Sequence, residues 1–409
     1  MAAILRWGRR FKPLASLSAP RLTPSSGFHV IESGQKVEEE RLAWYKPTQF
    51  YPVRTGEVFN SRYQVVGKLG YGAYSTVWLC RDLVGHRYVT LKVCERNATQ
   101  AKREVAVYRY LNTINTKHSG SRLVRTIVDA FEISRCEGVY QCLVHKPLGM
   151  SLSGLRARCP SRKMPEQLLK LTLTHVFLAL DFLHTEAGVV HTDLQENNIL
   201  LAIEDESILA DFETAEETDP SPRKIEGDRI THTTRELNIS KRNGRPMLCD
   251  FGEARSGQKD YDDVIQPFLY RAPEVILQLR WDSKVDIWNV GVLVWDLFQN
   301  KHMFDARDAN KENSSLHHLA EMIALLGPPP RDFLQRSAIA AEYFDEHGNW
   351  KGAADIPAIS LEASERNLEG KNKVLFLQFM RKMLRWVPEE RESAKELLED
   401  PWLRGSIET

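Results

Sequence analysis

The sequence lacks the features that mark secreted and membrane-spanning proteins. It has no CxxC pair and no secretory signal, so its cysteines are predicted to be reduced, buried thiols. No apolar run approaches the roughly 20 residues that span a bilayer, since GVLVWDLF (291–298) is interrupted by Asp296. We therefore predict a soluble protein that does not bind a membrane. The six cysteines are Cys80, Cys94, Cys136, Cys142, Cys159 and Cys249.

The chain also lacks a net charge. Lys plus Arg and Asp plus Glu each total 55, which excludes a global field that would attract nucleic acid or an acidic membrane surface. Any recognition by charge must be local. With 409 residues and 42% hydrophobic residues, the chain is long enough to bury a sizeable core in a large two-lobed unit.

Acidic residues are missing from the N-terminus until Glu32. This basic, serine-bearing stretch indicates either a mitochondrial transit peptide or a disordered basic tail. Residues 1–55 are accordingly interpreted as an N-terminal extension. The basic residues of the stretch are Arg6, Arg9, Arg10, Lys12 and Arg21.

The pattern of apolar residues changes along the chain. From Tyr63 to Val93 the runs YQVV, STVWLC and YVTLKVC alternate as antiparallel strands do. A helix is predicted over 99–111, and further strand-like runs end at residue 149. Apolar residues at helical spacing then predict helices over 165–184 and 283–299, the second apolar nearly all round. The predicted fold is α+β, with a small β-rich lobe (63–148) before a larger helical lobe (149–405).

A polar insertion, residues 202–246, interrupts the larger lobe. Positions 204–219 hold eight acidic residues and no Lys or Arg, which is typical of a solvated loop. The ADFET stretch inside it carries Asp211 but lacks the glycine that a tight turn would need. Asp211 is therefore interpreted as a solvated acid.

The first chemical motif is LGYGAYSTV (69–77), a glycine-bearing hairpin whose backbone could pass close over phosphates. Taken alone, a GxG in a strand pair is more often a simple turn. Fifteen residues past Val77, Lys92 lies in a strand whose alternation can point its ammonium inward. Glu104 on the following helix can supply the partner anion, although it could also be an ordinary surface glutamate.

Three more motifs follow in order. HTDLQENNILL (191–201) places Asp193 and Asn198 five residues apart, and CDFGEAR (249–255) supplies Asp250. YRAPEVI (270–276) contains Glu274, which we expect to form a structural ion pair with Arg391. The ordered set of motifs is far more specific than any one of them.

Together these residues resemble the eukaryotic protein-kinase family over about residues 60–405. A narrower resemblance is to the SR-protein-specific kinases, especially the fungal branch. It is carried by YQVVGKLGYGAYSTVWLCRD, by HTDLQENNILL, by the insertion before LCDFGEAR, and by YRAPEVILQLRWDSKVDIWNVG. Thr192 of HTD, in place of the arginine of the common HRD motif, is typical of that group.

The resemblance implies direct in-line transfer of the ATP γ-phosphoryl group to a serine or threonine. Lys92, held by Glu104, would position ATP, and Leu148 would present its backbone N–H to adenine. Asp193 would be the proton acceptor, and Asn198 and Asp250 would bind Mg²⁺. The hairpin that would cover the phosphates comprises Leu69, Gly70, Tyr71, Gly72, Ala73, Tyr74, Ser75, Thr76 and Val77.

The sequence departs from the family pattern at three positions. Gln195 replaces a lysine that contacts the transferring phosphate, a change that predicts a slower kinase rather than an inactive one, because an amide still donates a hydrogen bond. His145 stands at the usually apolar gatekeeper position, and Lys146 stands where an acid is usual in the hinge. These two changes affect the expected adenine pocket.

The activation segment, 250–274, has Ser256 as its only Ser or Thr, beside Tyr261 and Tyr270. The segment therefore offers few hydroxyl groups whose phosphorylation could switch the kinase on, so constitutive activity is predicted.

The resemblance implies Arg-Ser-rich protein substrates of the splicing machinery, which the acidic stretch would suit electrostatically. We expect a monomer that binds no nucleic acid directly. The family implies cytoplasm and nucleus, whereas the N-terminus allows mitochondrial import. Two alternatives remain: a pseudokinase that acts as a binding protein, and a small-molecule kinase of the same fold.

Overall fold

A computed structural model describes residues 17–239, 243–257 and 260–405 of the chain. The chain divides into two compact units. The first runs to Ala98 and includes Val128–Pro147 and Glu206–Asn238. The second consists of Thr99–Ile127, Leu148–Asp205 and the chain from Ile239 onward. This division differs from the boundaries predicted from sequence, because most of the insertion belongs to the β-rich unit and the helix after Ala98 belongs to the helical one.

The strands of the described residues are, in chain order, β1 (Val30–Ile31), β2 (Val58–Phe59), β3 (Tyr63–Gly72), β4 (Ser75–Asp82), β5 (Arg87–Arg96), β6 (Ile127–Arg135), β7 (Gly138–His145), β8 (Leu148–Ser151), β9 (Val189–Val190), β10 (Ile199–Ile203), β11 (Arg223–Glu226), β12 (Arg229–His232), β13 (Asn243–Leu248) and β14 (Arg255–Ser256).

The α-helices are α1 (Thr99–Thr113), α2 (Leu152–Arg158), α3 (Glu166–Phe182), α4 (Ser207–Thr218), α5 (Pro273–Ile276), α6 (Lys284–Gln299), α7 (Ser315–Leu326), α8 (Arg331–Leu334), α9 (Leu361–Ser364), α10 (Gly370–Met383), α11 (Ala394–Leu397) and α12 (Pro401–Arg404). Short 3₁₀ helices include Glu38–Arg41, Pro47–Gln49 and Glu196–Asn198, and a π-helical turn, Leu183–Ala187, follows α3.

A six-stranded sheet forms the first unit, in the order β2-β3-β4-β5-β7-β6. The pairs from β2–β3 to β5–β7 are antiparallel, which confirms the prediction from the alternating runs. Apolar side chains on one face of the sheet bury a core that includes Tyr63, Trp78, Leu91 and Val144. The alternation of valine, leucine and aromatic residues along each strand produces this face.

Residues Glu206–Asn238 of the polar insertion are part of the first unit, and the acidic stretch within them is not a solvated loop. α4 packs against β3, and its buried side chains include Ile208, Leu209 and Phe212. The contact is close, since a Cβ atom at Gly67 would lie 2.9 Å from Phe212 Cε1. Asp211 lies on the exposed side of this helix, as predicted. An amphipathic pattern within an acidic segment therefore determines its structure.

Several described segments of the N-terminal extension pack within the first unit. β1 pairs in parallel with β11, which pairs antiparallel with β12, in a small second sheet. The backbone of Arg21 exchanges two hydrogen bonds with the Gln64 side chain, at 2.9 and 2.7 Å. The disordered-tail alternative is thus wrong for residues 17–55. The basic residues at positions 6–12 lie outside the described residues, so the transit-peptide hypothesis stays a prediction.

The second unit is mostly helical and is built around α6. Every side chain from Val285 to Phe298 is buried, as the run that is apolar nearly all round predicts. The helix ends at Gln299 and is followed by Asn300, whose left-handed φ of 52° suits a C-terminal cap. The observed bounds of α1, α3 and α6 confirm the three helices predicted from sequence.

The prediction that no stretch is long and apolar enough to cross a membrane is wrong by length and composition, because α3 and the π-helical turn after it, Glu166–Ala187, form such a stretch. Half of its most apolar window is buried inside the protein. The helix α3 contacts α6 and α11 in the second unit, and its buried side chains include Leu169, Leu173 and Leu180. Packing within the protein accounts for its apolar composition.

All six cysteines are free thiols, as predicted. Cys80, Cys94, Cys142 and Cys249 are buried, and Cys159 is partly exposed. Burial is wrong for Cys136, which is exposed because it lies in the turn between β6 and β7.

Candidate active site

The loop between β9 and β10 holds Asp193 by both carboxylate oxygens. Asn198 Nδ2 donates to Asp193 Oδ2 at 2.7 Å and to the Asp193 carbonyl at 2.8 Å. Gln195 Nε2 donates to Asp193 Oδ1 at 3.0 Å. The structure thus brings Asp193 and Asn198 together, and it shows that the unusual Gln195 contributes a hydrogen bond to the same carboxylate.

A buried aspartate of α6 holds the backbone of this loop through hydrogen bonds. Asp286 is fully buried and accepts hydrogen bonds from the backbone N–H groups of His191 and Thr192, each at 2.8 Å. The Nε2 atom of His184 lies 2.9 Å from the same carboxylate. Thr192 has a φ of 66°, an unfavourable conformation for a β-branched residue, which these bonds help to hold. Sequence reasoning gave Asp286 no role, although an acid in a helix that is apolar nearly all round was a usable signal.

Asp250 lies in a segment tied to the same loop. The backbone N–H of Cys249 donates to the Asn198 carbonyl at 2.9 Å, and the His191 Nε2 atom lies 3.0 Å from the Cys249 carbonyl. Asp250 itself has a φ of 64°, and its N–H donates to the Tyr108 hydroxyl at 3.2 Å. Non-glycine residues in this conformation concentrate at functional sites.

The surroundings of Asp193 raise the pKa of its carboxyl group towards neutral pH. Burial, reinforced by the nearby negative charge of Asp250, raises the pKa of Asp193 to about 6. His191 and the hydrogen bonds from Gln195 and Asn198 act in the opposite direction and limit the rise. At pH 7 the carboxylate is therefore mostly ionised while having a pKa suited to accepting a proton.

The donor chemistry around Asp250 fits a hard cation. The Asn198 side-chain nitrogen is used on Asp193, so the carbonyl oxygen of that amide is the atom that would bind a metal. An amide oxygen and the Asp250 carboxylate are both ligands that Mg²⁺ accepts. A cation at Asp250 would also offset the charge that raises the pKa of Asp193.

The glycine-bearing hairpin is formed by β3 and β4 of the first unit. Gly72 pairs with Ser75, so that Ala73 and Tyr74 form a two-residue turn. A Cβ built on Gly70 would meet no atom of the described residues within 4 Å. This open space beside the backbone is what the close approach of a phosphate would require.

The remaining predicted residues are placed on regular elements. Lys92 lies on β5 of the first unit, opposite Val77 and Leu143, and is half-buried. Glu104 lies on α1 of the second unit with only 3% of its surface exposed, so the surface-glutamate alternative is wrong. Leu148 begins β8 and is buried.

The two unusual residues near Leu148 differ in exposure. His145 is fully buried at the end of β7, opposite Thr90. Lys146 is exposed, and its Nζ lies 3.7 Å from a Glu206 carboxylate oxygen at the start of the insertion. The Lys146 ammonium group therefore lies beside the insertion.

The activation segment offers few accessible hydroxyls. Ser256 is exposed, whereas Tyr261 and Tyr270 are buried. The Tyr270 hydroxyl donates to Asp296 at 2.7 Å. Glu274 and Arg391 form the predicted ion pair, with two hydrogen bonds of 2.6 Å between fully buried side chains.

The start of the segment is held through its backbone. The Thr192 hydroxyl donates to the Glu253 carbonyl at 2.7 Å, and Arg255 Nη1 donates to the same oxygen at 2.5 Å. Arg103 of α1 lies 3.1 Å from the Glu253 carboxylate. None of these bonds needs a phosphate group.

The first unit is β-rich and carries a glycine hairpin and a strand lysine. The second unit is helical and carries Asp193, Asn198 and Asp250. These features define the class of protein-kinase domains. The chain belongs to the protein kinase family, because the model of the protein kinase domain matches residues 63–234 and 234–403.

Relatives assign the kinase to the serine/threonine class. A serine/threonine protein kinase of Aspergillus fumigatus is 49% identical over 389 residues, which cover 94% of this chain and 95% of the relative. A serine/threonine-protein kinase SRPK of Physarum polycephalum is 30% identical, with 90% and 91% covered, and SRSF protein kinase 3 of Sus scrofa is 23% identical, with 90% of each covered. The chain is a serine/threonine protein kinase that resembles the SR-protein kinases.

The fold agrees with a solved kinase. The crystal structure of the PF14_0431 kinase domain has a TM-score of 0.67 at 22% identity and covers 87% of this chain and 99% of its own. Protein kinases in general use ATP and Mg²⁺.

Proposed function

We propose that this kinase transfers the ATP γ-phosphate to serines of basic, Arg-Ser-rich proteins, with Asp193 as the proton acceptor. The observation that carries the proposal is the hydrogen bonding of Asp193 by Asn198 at 2.7 Å and Gln195 at 3.0 Å. A carboxylate held at both oxygens can orient a substrate hydroxyl for attack.

Each residue has one task in this mechanism. Asp193 binds the attacking hydroxyl and takes its proton as the new O–P bond forms and the bond to ADP breaks. Asn198 and Asp250 would hold Mg²⁺, which when bound neutralises phosphate charge. By the family resemblance, Lys92 and the 69–77 hairpin would bind the phosphates, and Glu104 would be the acid that orients Lys92. Leu148 offers its backbone N–H to adenine.

Gln195 supports a working enzyme rather than a pseudokinase. The lysine it replaces would supply a cation, and its loss removes one stabilising interaction from the transition state. The amide nevertheless donates to Asp193 and so preserves the orientation of the base. Reduced turnover is expected, not abolished turnover.

The test is transfer of radiolabelled γ-phosphate from Mg-ATP to an Arg-Ser repeat peptide. Wild type should phosphorylate the peptide, and Asp193→Asn should lose turnover while still binding ATP. A wild type that binds ATP but transfers no phosphate to any peptide would establish the pseudokinase instead. Transfer to small metabolites but not to peptides would favour a small-molecule kinase.

The proposed substrate class rests on the SR-protein-kinase resemblance and on charge. Of the eight acids at 204–219, Glu213 and Glu216 are buried and used internally, by Arg81 and Arg235 respectively. Other acids of the stretch, among them Glu204, Asp211 and Glu217, are exposed. Only the exposed set is available to attract a cationic peptide.

The contrast between exposed and buried acids allows two sets of variants to be compared. The triple variant Glu204→Gln, Asp211→Asn, Glu217→Gln should raise the KM for an Arg-Ser peptide, and the increase should shrink in high salt. The double variant Glu213→Gln, Glu216→Gln should instead lower the melting temperature. An unchanged peptide KM in the triple variant would show that the acidic stretch does not contact substrate.

We propose a cytoplasmic and nuclear location, which the SR-protein-kinase resemblance supports. Deleting residues 2–16 from a fluorescent fusion leaves the packed part of the extension intact and tests import directly. The distribution should not change. Loss of a mitochondrial signal on deletion would show that the N-terminus is a transit peptide.

A further inference from the structure

We propose that Trp44 is a positioning residue for ATP, because it fixes the tip of the glycine-bearing hairpin from outside the kinase motifs. Its indole Nε1 donates to the Ala73 carbonyl at 3.1 Å. Ala73 is one of the two residues of the turn in that hairpin. The inference rests on the proposed function only in that this hairpin covers the nucleotide phosphates.

The segment that carries Trp44 is anchored at the base of the same hairpin. We call residues 38–45 the N-terminal brace. Glu39 of the brace lies 2.5 Å from the ammonium of Lys68, which is on β3 two residues before Gly70. Both side chains are buried, with 5% and 1% exposed, and Lys68 also donates to the His232 carbonyl at 3.0 Å.

A second anchor fixes the brace to the insertion. Glu40 accepts hydrogen bonds from Lys224 of β11 at 3.1 and 3.3 Å, again between buried side chains. Breaking a buried pair by removing one partner is strongly unfavourable, so these lysine–glutamate pairs hold the brace in one position. These two pairs therefore fix the position of the segment from which Trp44 contacts the hairpin.

The tip of the hairpin is held on two sides. The Ala73 carbonyl accepts from Trp44, and the Tyr74 carbonyl accepts from the backbone N–H of Glu95 at 2.8 Å. The Trp44 and Tyr74 rings lie 6.5 Å apart, within the range of aromatic contacts. An exposed two-residue turn without these bonds would sample several conformations.

A hairpin already held in place loses less conformational entropy when it binds phosphates. Trp44 should therefore strengthen nucleotide binding without acting on the protein substrate. One hydrogen bond of ordinary strength corresponds to a change of roughly two- to tenfold in affinity. Trp44 is half exposed, so replacing it should not impair folding.

The test measures the Kd of the fluorescent analogue N-methylanthraniloyl-ATP with Mg²⁺, together with the KM values for ATP and peptide. Trp44→Phe keeps an aromatic ring but removes the N–H donor. It should raise the nucleotide Kd and the ATP KM by roughly two- to tenfold, with the peptide KM and the melting temperature unchanged. Leu22→Ala, which alters an almost fully exposed side chain of the same extension, is the matched control.

Glu39→Gln is the second variant, because it weakens the anchor while leaving the indole in place. It should lower the melting temperature, because Lys68 loses its buried partner, and it should raise the nucleotide Kd of the folded protein in the same direction as Trp44→Phe. An unchanged or lower nucleotide Kd in Trp44→Phe would overturn the proposal. If wild type transfers no phosphate, the proposed function fails, but the Kd comparison still tests the role of Trp44 on its own.

Discussion

Gln195 donates its side-chain amide to the Oδ1 atom of Asp193 across 3.0 Å, in the position where a lysine is usual. We expect Gln195→Ala to lower kcat by about tenfold, because Asp193 then keeps only its bonds from Asn198. Gln195→Lys should raise kcat above wild type, because it restores a cation at the transferring phosphate. Steady-state kinetics with saturating Mg-ATP measures both effects.

Asn197→Ala is the control for these variants, because Asn197 is the exposed neighbour in the same short helix. Its kcat should match that of wild type. If Gln195→Ala has the wild-type kcat, the amide has no part in orienting the base.

The buried pair of Glu274 and Arg391 should contribute strongly to stability. Arg391→Met leaves the Glu274 carboxylate buried without its cation, which should cost about 3–5 kcal/mol of unfolding free energy. Arg336→Met removes the same kind of side chain from a surface pair with Glu389, whose side chains are 48% and 65% exposed, and should cost under about 1 kcal/mol. Urea denaturation of both variants checks the contrast, and equal losses would contradict it.

The kinase motifs could be predicted from sequence because each has a local cause. Strand alternation places Lys92, and the spacing from Asp193 to Asn198 fits one loop, so short-range rules suffice for both. The α6 helix was predicted for the same reason, since its apolar residues recur along one continuous segment.

The supporting contacts could not be predicted because they join distant parts of the chain. The bonds that His191 donates to Asp286 and that Lys68 donates to Glu39 depend on tertiary packing that no local pattern encodes. The acidic insertion misled for a related reason. Charge density suggested a solvated loop, whereas Phe212 and its apolar neighbours pack the segment onto β3.

His232 should make the first unit sensitive to acid. Burial, with the nearby charges of Arg223 and Lys68, lowers the pKa of His232 to about 3. Because the unfolded histidine titrates near 6.5, the unfolded state binds more protons below that pH, and stability falls as the pH drops. Between pH 6.5 and pH 5 this one group should cost up to about 2 kcal/mol.

The measurement for His232 is the melting temperature at pH 7.5 and pH 5.0 for wild type and His232→Phe. The variant should show a smaller decrease on acidification, whatever its stability at pH 7.5. His318→Phe is the parallel variant in the second unit, where burial lowers the pKa of His318 to about 3 as well. A decrease equal to that of wild type in His232→Phe would exclude His232 as a source of acid sensitivity.

The hydrogen bond from the Thr192 hydroxyl to the Glu253 carbonyl, at 2.7 Å, should replace activation by phosphorylation. With Tyr261 and Tyr270 buried, Ser256 is the accessible hydroxyl of the described part of the segment. Phosphatase treatment and Ser256→Ala should therefore leave kcat unchanged. Thr192→Val keeps the shape of the side chain but cannot donate, and it should lower kcat several-fold because the start of the segment loses one of its backbone contacts. A large gain in activity after phosphorylation by another kinase would show that these contacts do not hold the active arrangement.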